Sequence, residues 1–177
     1  MILRNIIIMA FLTAIIVVAK YALGFIVGIE IVTFLCILYG TLLPMKMWIQ
    51  IISAFILIIG IIYGFGSWWI IYWFIFPIEA FFSWILRKFL LSHSLIFSIW
   101  CALWAFSIMA WYYPYDLMFF GTSYALTNLV SAIIPNLLGA VSNFVIATTL
   151  MRPSQKLFAN YLKIDEQNYW KKLAIKE

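Results

Sequence analysis

Long apolar runs separated by short polar breaks dominate this sequence and limit the folds that it can adopt. Apolar residues make up 67% of the 177 residues, whereas Asp, Glu, Lys and Arg together make up only 10%. A soluble domain contains roughly 25% charged residues, which help to cover its core with polar surface. Lipid removes that requirement, because it solvates apolar side chains directly. The chain is therefore predicted to be an all-α integral membrane protein.

The polar breaks predict six transmembrane helices of about 20 residues or fewer. The predicted spans are residues 3–23, 31–43, 47–63, 68–86, 95–111 and 133–151. The stretch around Pro114 is expected to end the fifth span. Residues 120–132 are expected to form a loop or a short surface helix, with Pro135 in the first turn of the sixth span.

Two regions follow from this division of the chain. Residues 1–151 form the predicted six-helix transmembrane domain, and residues 152–177 form a basic, amphipathic tail on the cytoplasmic side. The tail is expected either to lie on the inner membrane surface or to be solvated.

The distribution of basic residues predicts the orientation of the spans. With the N-terminus inside, the inner segments hold all of the eleven lysines and arginines except Lys20. Glu30 and Asp116 then fall at outer ends of the spans. Because lysine and arginine concentrate in cytoplasmic loops, both termini are predicted to be cytoplasmic.

No motif of a soluble enzyme occurs in the sequence. It contains no Walker sequence, no GxSxG and no HExxH, and His93 is its single histidine. Cys36 and Cys101 lie in apolar segments without a CxxC pair, and we interpret them as packing residues. We therefore expect no catalytic residue, no metal site, no cofactor and no nucleic-acid partner.

Small residues on the first span suggest a contact between helices. Ala10 and Ala14 are four residues apart, so they share one helix face and let another helix approach closely. The contact is either with another helix of this chain or with a partner subunit.

Aromatic residues recur at helical spacing on the fourth and fifth spans. Trp68 and Tyr72 share a face of span four, and Trp104 lies on a face of span five that also carries Trp100, Ser107 and Trp111. Aromatic residues at membrane edges usually form interfacial belts, and this explanation suits Trp68 and Trp69. Trp104 lies deeper, where an inward-facing ring could stack on a flat ligand.

A few polar groups lie at membrane depth. Glu79 is near the middle of span four, where a charge is costly unless it is protonated, paired or facing a cavity. Asn136 and Asn143 are seven residues apart and share one face of span six. They either bind a ligand or hydrogen-bond neighbouring helices. Glu30 either reaches an outward-facing cavity or is an exposed charge at a helix start.

In combination, these features resemble the S component, the substrate-binding membrane subunit, of an energy-coupling factor (ECF) transporter. The resemblance covers nearly the whole chain: six predicted spans, Ala-x-x-x-Ala at 10–14, and three local strings. The strings are IEIVTF at residues 29–34, YGFGSWW at 63–69 and NLLGAVSN at 136–143.

The resemblance implies a function and a set of partners. S components lie in the bacterial plasma membrane, bind a vitamin or related small molecule from outside, and dock on a transmembrane T subunit driven by two cytoplasmic ATPases. The S component then topples in the membrane and releases its ligand inside. Ala10 and Ala14 match the motif that packs on the T subunit. Nickel and cobalt members need an N-terminal histidine, which this chain lacks, so a metal substrate is not expected.

The resemblance also places the ligand pocket near the outer surface. With Glu79 added from the polar pattern, the candidate substrate-binding residues are Glu30, Trp68, Trp69, Tyr72, Glu79, Trp104, Asn136 and Asn143. The Trp-rich faces with a few amides and carboxylates suit a small, flat, polar heterocycle. The alternative function is a stand-alone secondary carrier that uses Glu79 for proton coupling, although the sequence shows no duplicated halves.

Overall fold

The computed structural model describes residues 2–26 and 28–162, and seven helices account for most of these residues. The helices are α1 (Ile2–Leu23), α2 (Val32–Leu42), α3 (Met45–Tyr63), α4 (Ser67–Ile85), α5 (Arg87–Ser92), α6 (Ser94–Phe120) and α7 (Thr122–Leu162). The part of the chain that the structure describes contains no strand, so the predicted all-α fold is confirmed.

Five of the helices are long and apolar enough to cross a membrane: α1, α3, α4, α6 and α7. The predicted second span is different, because α2 has only 11 residues. At 1.5 Å per residue it is about 17 Å long, well short of the ~30 Å hydrocarbon core of a bilayer. The five long helices are those of a multi-pass membrane protein. The sixth crossing, by α2, stays a prediction.

Two expectations about the C-terminal half were wrong. The helix does not end near Pro114, because α6 continues through it to Phe120, and residues 120–132 are not a loop, because α7 begins at Thr122. A proline removes one backbone hydrogen bond, and a membrane helix tolerates that loss where neighbouring groups compensate. The chain instead turns at Gly121, whose φ of 84° suits glycine.

Helix α7 is also longer than the predicted sixth span. It starts before residue 133, passes Pro135 and Pro153, and ends at Leu162. The predicted boundary between residues 151 and 152 therefore falls inside a continuous helix. The rest of the predicted tail, residues 163–177, lies outside the described residues.

Helices α1, α3 and α6 run in one direction, and α2, α4 and α7 run in the other. Gly24 lies next to the Tyr63 hydroxyl, so α1 and α3 end side by side. At the opposite end of the bundle, the ring of Tyr39 near the end of α2 lies 6.2 Å from that of Phe158 near the end of α7. The end that contains Gly24, Gly64 and Gly121 is called the glycine end below.

Helix α2 is the centre of the bundle. Ten of its eleven residues are buried, and it packs against each of the other six helices. The contact with α4 is especially close at Gly40, where an added Cβ would lie 2.5 Å from the carbonyl oxygen of Ala80. The two backbones can approach this closely because Gly40 has no side chain.

Replacing Gly40 by alanine should destabilise the protein. The new methyl group would meet backbone atoms of α4, which cannot rotate away as a side chain could, so the free energy of unfolding should fall by about 1–3 kcal/mol. Thermal unfolding in mild detergent, followed by circular dichroism, measures the change.

Gly139→Ala is the matched control, since Gly139 is also helical and the nearest atom to its added Cβ is 3.9 Å away. Equal stability of the two variants would show that α2 and α4 do not approach each other in this way.

Candidate functional site

Glu30 and Asn143, both predicted to bind ligand, contact each other at the start of α2. The Asn143 side-chain amide donates to Glu30 Oε2 at 2.7 Å and to the Glu30 carbonyl oxygen at 2.8 Å. Glu30 Oε1 accepts from the backbone N–H groups of Val32, at 2.7 Å, and Thr33, at 3.1 Å. Asn143 Oδ1 accepts from the backbone N–H of Phe34 at 3.0 Å.

These bonds satisfy three of the four backbone N–H groups that the first turn of a helix leaves without a partner. Ser142 adds a further link, because its hydroxyl accepts from the backbone N–H of Glu30 at 3.1 Å. The carboxylate also complements the positive end of the helix dipole. Glu30 and Asn143 thus hold α7 against α2, and their polar atoms are engaged within the protein.

The predicted aromatic residues of α4 lie at the glycine end. Trp69 donates from its indole Nε1 to the carbonyl oxygen of Ile56 at 3.0 Å, which ties α4 to α3. The ring of Trp68 packs edge-on against that of Tyr72, with centroids 5.2 Å apart. Trp68, Trp69 and Tyr72 are each half-buried.

Trp104 belongs to an aromatic contact between α6 and α4. Its ring stacks on Trp111 with centroids 6.0 Å apart and lies 6.3 Å from the ring of Phe82. The neighbouring Trp100 donates to the hydroxyl of Ser83 at 2.9 Å. The stripe predicted on this helix face is therefore present, and it faces α4.

Glu79 lies in the core of the bundle. Its side chain is fully buried, and neither carboxylate oxygen has a hydrogen-bond partner among the described residues. It adjoins Ala80, at the close approach of α4 to α2. A buried carboxyl group without a hydrogen-bond donor is energetically costly. The position of Glu79 in the core is therefore unfavourable.

A cavity lined by both polar and apolar side chains lies between α6 and α7 near the glycine end. Its volume is about 230 Å³, and its lining includes Tyr112, Tyr113, Asp116, Asn128, Leu129 and Asn136. Of the predicted site residues, Asn136 lines it, whereas Glu30, Glu79, Trp104 and Asn143 do not. The two asparagines share one face of α7 but have different surroundings, since Asn136 lines the cavity and Asn143 contacts Glu30.

Asp116 is the charged group of this cavity. It is 5% exposed, and its Oδ2 accepts a hydrogen bond of 2.6 Å from the Asn128 side chain. Asn136 donates to the carbonyl oxygen of Ala132 in its own helix, at 2.8 Å. The side-chain carbonyl oxygen of Asn136 accepts no hydrogen bond from the described residues.

Sequence reasoning overlooked Asp116 and Asn128 as partners because it placed both of them outside the six predicted spans. Once α6 and α7 are continuous helices joined at Gly121, the two side chains oppose each other in a helical hairpin. The signal was present in the spacing of Asn128 and Asn136, which are eight residues apart and therefore lie near one face of a helix.

Lys20, the basic residue predicted near the outer side, lies close to this region. Its ammonium nitrogen is 5.8 Å from the centroid of the Tyr72 ring. Tyr72 also interacts with Tyr112, which lines the cavity. Tyr72 thus stands between the lysine of α1 and the cavity of α6 and α7.

The predicted docking residues Ala10 and Ala14 are both exposed on α1. Large apolar side chains surround them, and Leu3, Phe11 and Val18 each expose more than 60% of their surface. Toward the end opposite the glycine end, an apolar groove of about 830 Å³ separates α1 from Leu157 and Phe158 of α7. The alanines are therefore not used in packing within the described part of the chain.

No group of three metal-ligating side chains occurs among residues 2–26 and 28–162. The cavity holds one carboxylate, amide groups and tyrosines. Its chemistry suits hydrogen bonding and ring contact with a small molecule.

The two asparagines should differ in their effect on stability. Asn143→Ala leaves the backbone N–H of Phe34 unpaired and breaks the contact with Glu30, so unfolding should require about 2–3 kcal/mol less free energy. Asn136→Ala removes a bond within its own helix and should cost well below about 1 kcal/mol. Thermal unfolding of both variants in the same detergent gives the comparison, and a larger loss for Asn136→Ala would contradict these assignments.

Comparison with known proteins identifies no relative. No family model matches the chain, no curated protein matches its sequence, and no solved structure matches its fold.

Proposed function

We propose that this protein is the substrate-binding membrane subunit of an ATP-driven importer in a bacterial plasma membrane. It crosses the bilayer six times, has both termini in the cytoplasm, and takes a small vitamin-like heterocycle from outside. It contributes no catalytic residue itself. ATP hydrolysis is assigned to two cytoplasmic partner subunits. The protein docks on a transmembrane T subunit and topples in the membrane to release its ligand inside.

The cavity between α6 and α7 is the observation that carries this proposal. It combines polar groups and aromatic side chains, as small-molecule sites do. In the proposed orientation, Lys46, Arg87, Lys88 and Arg152 lie toward the cytoplasm and the glycine end faces outside. The cavity then lies where a ligand arriving from outside would enter.

The exposed face of α1 supports a partner in the membrane. A helix face with Ala10 and Ala14 at its centre lets the backbone of another helix approach closely. No described helix of this chain covers either alanine. This is the surface that we assign to the T subunit.

A stand-alone proton-coupled carrier is the second candidate, and the unpartnered oxygens of Glu79 favour it. Buried acids of this kind serve as proton relays in carriers. Glu79, however, lines neither the cavity between α6 and α7 nor the apolar groove. Uptake into liposomes that contain only this protein, driven by a pH gradient and lost in Glu79→Gln, would support the carrier instead of the binding subunit.

The binding role predicts that a small molecule copurifies with the protein. Mass spectrometry of protein extracted in mild detergent should find one ligand per chain, because the cavity holds a single small molecule. Asn136→Leu should lose this ligand, since the change removes the amide that lines the cavity. Ser131→Ala, an exposed change on the same helix, should keep it. If no molecule copurifies and none from a panel of vitamins binds, the proposed role is wrong.

The docking role predicts separate effects on binding and uptake. Ala14→Trp adds a bulky side chain to an exposed position, so the protein should fold and keep its ligand. Uptake of radiolabelled ligand by cells that carry only this variant should fall at least about tenfold, because the partner helix can no longer approach.

Val145→Trp is the control for Ala14→Trp, because it places the same side chain on an exposed position of α7. Uptake should be retained by this variant. Normal uptake by Ala14→Trp would show that α1 is not part of the docking surface.

A further inference from the structure

We propose that the cavity between α6 and α7 takes a small organic cation, such as a protonated amine or a protonated nitrogen heterocycle, bound to Asp116. This inference rests on the proposed function and names the chemical class of its ligand. The positive N–H group of the ligand donates to the Asp116 carboxylate, and its apolar part fills the rest of the cavity.

The surroundings of Asp116 give the first support for a cationic ligand. Asp116 is only 5% exposed, yet its carboxylate accepts a hydrogen bond from the neutral amide of Asn128. No lysine or arginine forms an ion pair with it within residues 2–26 and 28–162. A buried carboxylate is normally paired with a positive group. Here the carboxylate faces a cavity, so a bound ligand can supply that group.

The remaining lining also favours a cation. The Asn136 side-chain carbonyl oxygen is available as a second acceptor. Tyr112 and Tyr113 contribute aromatic rings, whose negative faces attract cations. Lys20 lies beside Tyr72 and does not line the cavity. The cavity therefore offers acceptors and rings to a ligand, and no basic side chain lines it among the described residues.

An organic cation fits better than a metal ion. Hard cations such as Ca²⁺ and Mg²⁺ need about six or more oxygen ligands. The cavity provides one carboxylate and the amides of Asn128 and Asn136, while Ile108, Met109 and Leu129 line it with hydrocarbon. Such walls would strip water from a metal ion without replacing it, whereas they pack well against the carbon atoms of an organic cation.

The cavity volume limits the size of this ligand. About 230 Å³ is below the 300–1,000 Å³ of typical ligand pockets. A single ring with one amino or ring N–H group fits this space. We therefore use three single-ring probes of nearly equal shape and different charge: benzylammonium, benzyl alcohol and benzoate.

Binding of the three probes to the purified, ligand-free full-length protein tests the charge class directly. Saturation-transfer NMR in detergent gives their dissociation constants at one pH and ionic strength. Benzylammonium should bind at least about tenfold more tightly than benzyl alcohol, because only the ammonium adds attraction between opposite charges to its hydrogen bond with the carboxylate. Benzoate should bind most weakly.

Asp116→Asn provides the matched variant, since it keeps the size of the side chain and removes its charge. The preference for benzylammonium over benzyl alcohol should fall below about threefold in this variant. Thr127→Val, an exposed change on α7, should leave the preference unchanged. The comparison of probes on the unchanged protein remains decisive even if Asp116→Asn folds poorly.

The outcomes separate this inference from the proposed function. Equal or tighter binding of the neutral or anionic probe would contradict the proposal that the ligand is a cation. An unchanged preference for benzylammonium in folded Asp116→Asn would contradict it as well. A copurified ligand that is neutral or anionic likewise overturns the cation while supporting a binding subunit. If no probe binds, the cation is also rejected, and the copurification experiment alone then decides the proposed function.

Discussion

The start of helix α2 imposes the strictest physical requirement on this fold. A helix leaves its first backbone N–H groups without partners, and α2 is buried among six other helices where little water can reach them. Glu30 supplies acceptors from the connection before α2, and Asn143 supplies one from α7. Because each oxygen of this small network has a defined partner, α7 has one register against α2.

The register of α7 in turn positions the candidate site. Asn143 lies seven residues after Asn136 on the same rigid helix, so fixing one places the other. Helix α6 packs along α7 through the turn at Gly121, which brings Asp116 opposite Asn128. The same asparagine-bearing face thus does structural work near Glu30 and borders a cavity two turns earlier. The two asparagines have different roles because Asn143 lies opposite Glu30 and Asn136 lies beside the cavity.

Sequence reasoning succeeded where hydropathy alone decides the structure. The apolar runs predicted the five long helices that the structure contains, because lipid-facing helices must be apolar along most of their length. It failed at Pro114, since a proline breaks an isolated helix more readily than one supported by a neighbouring helix. It also could not show that α2 is only 11 residues long, since buried and membrane-spanning runs have similar composition.

The candidate site was only partly predictable for a related reason. A sequence shows which polar residues share a helix face, and it does not show what lies opposite that face. Asn136 was found and Asp116 was assigned to a loop, although both border one cavity. Glu30 and Asn143 were identified as unusual, and their partners proved to be each other and the backbone of α2.

The position of the bound ligand tests this account most directly. A cryo-electron-microscopy map of the protein, purified with its natural ligand and held by an antibody fragment, would locate it. Ligand density is predicted between α6 and α7, within hydrogen-bond distance of Asp116, with Glu30 and Asn143 still hydrogen-bonded to each other. Density beside Glu79, or a ligand inserted between Glu30 and Asn143, would contradict it.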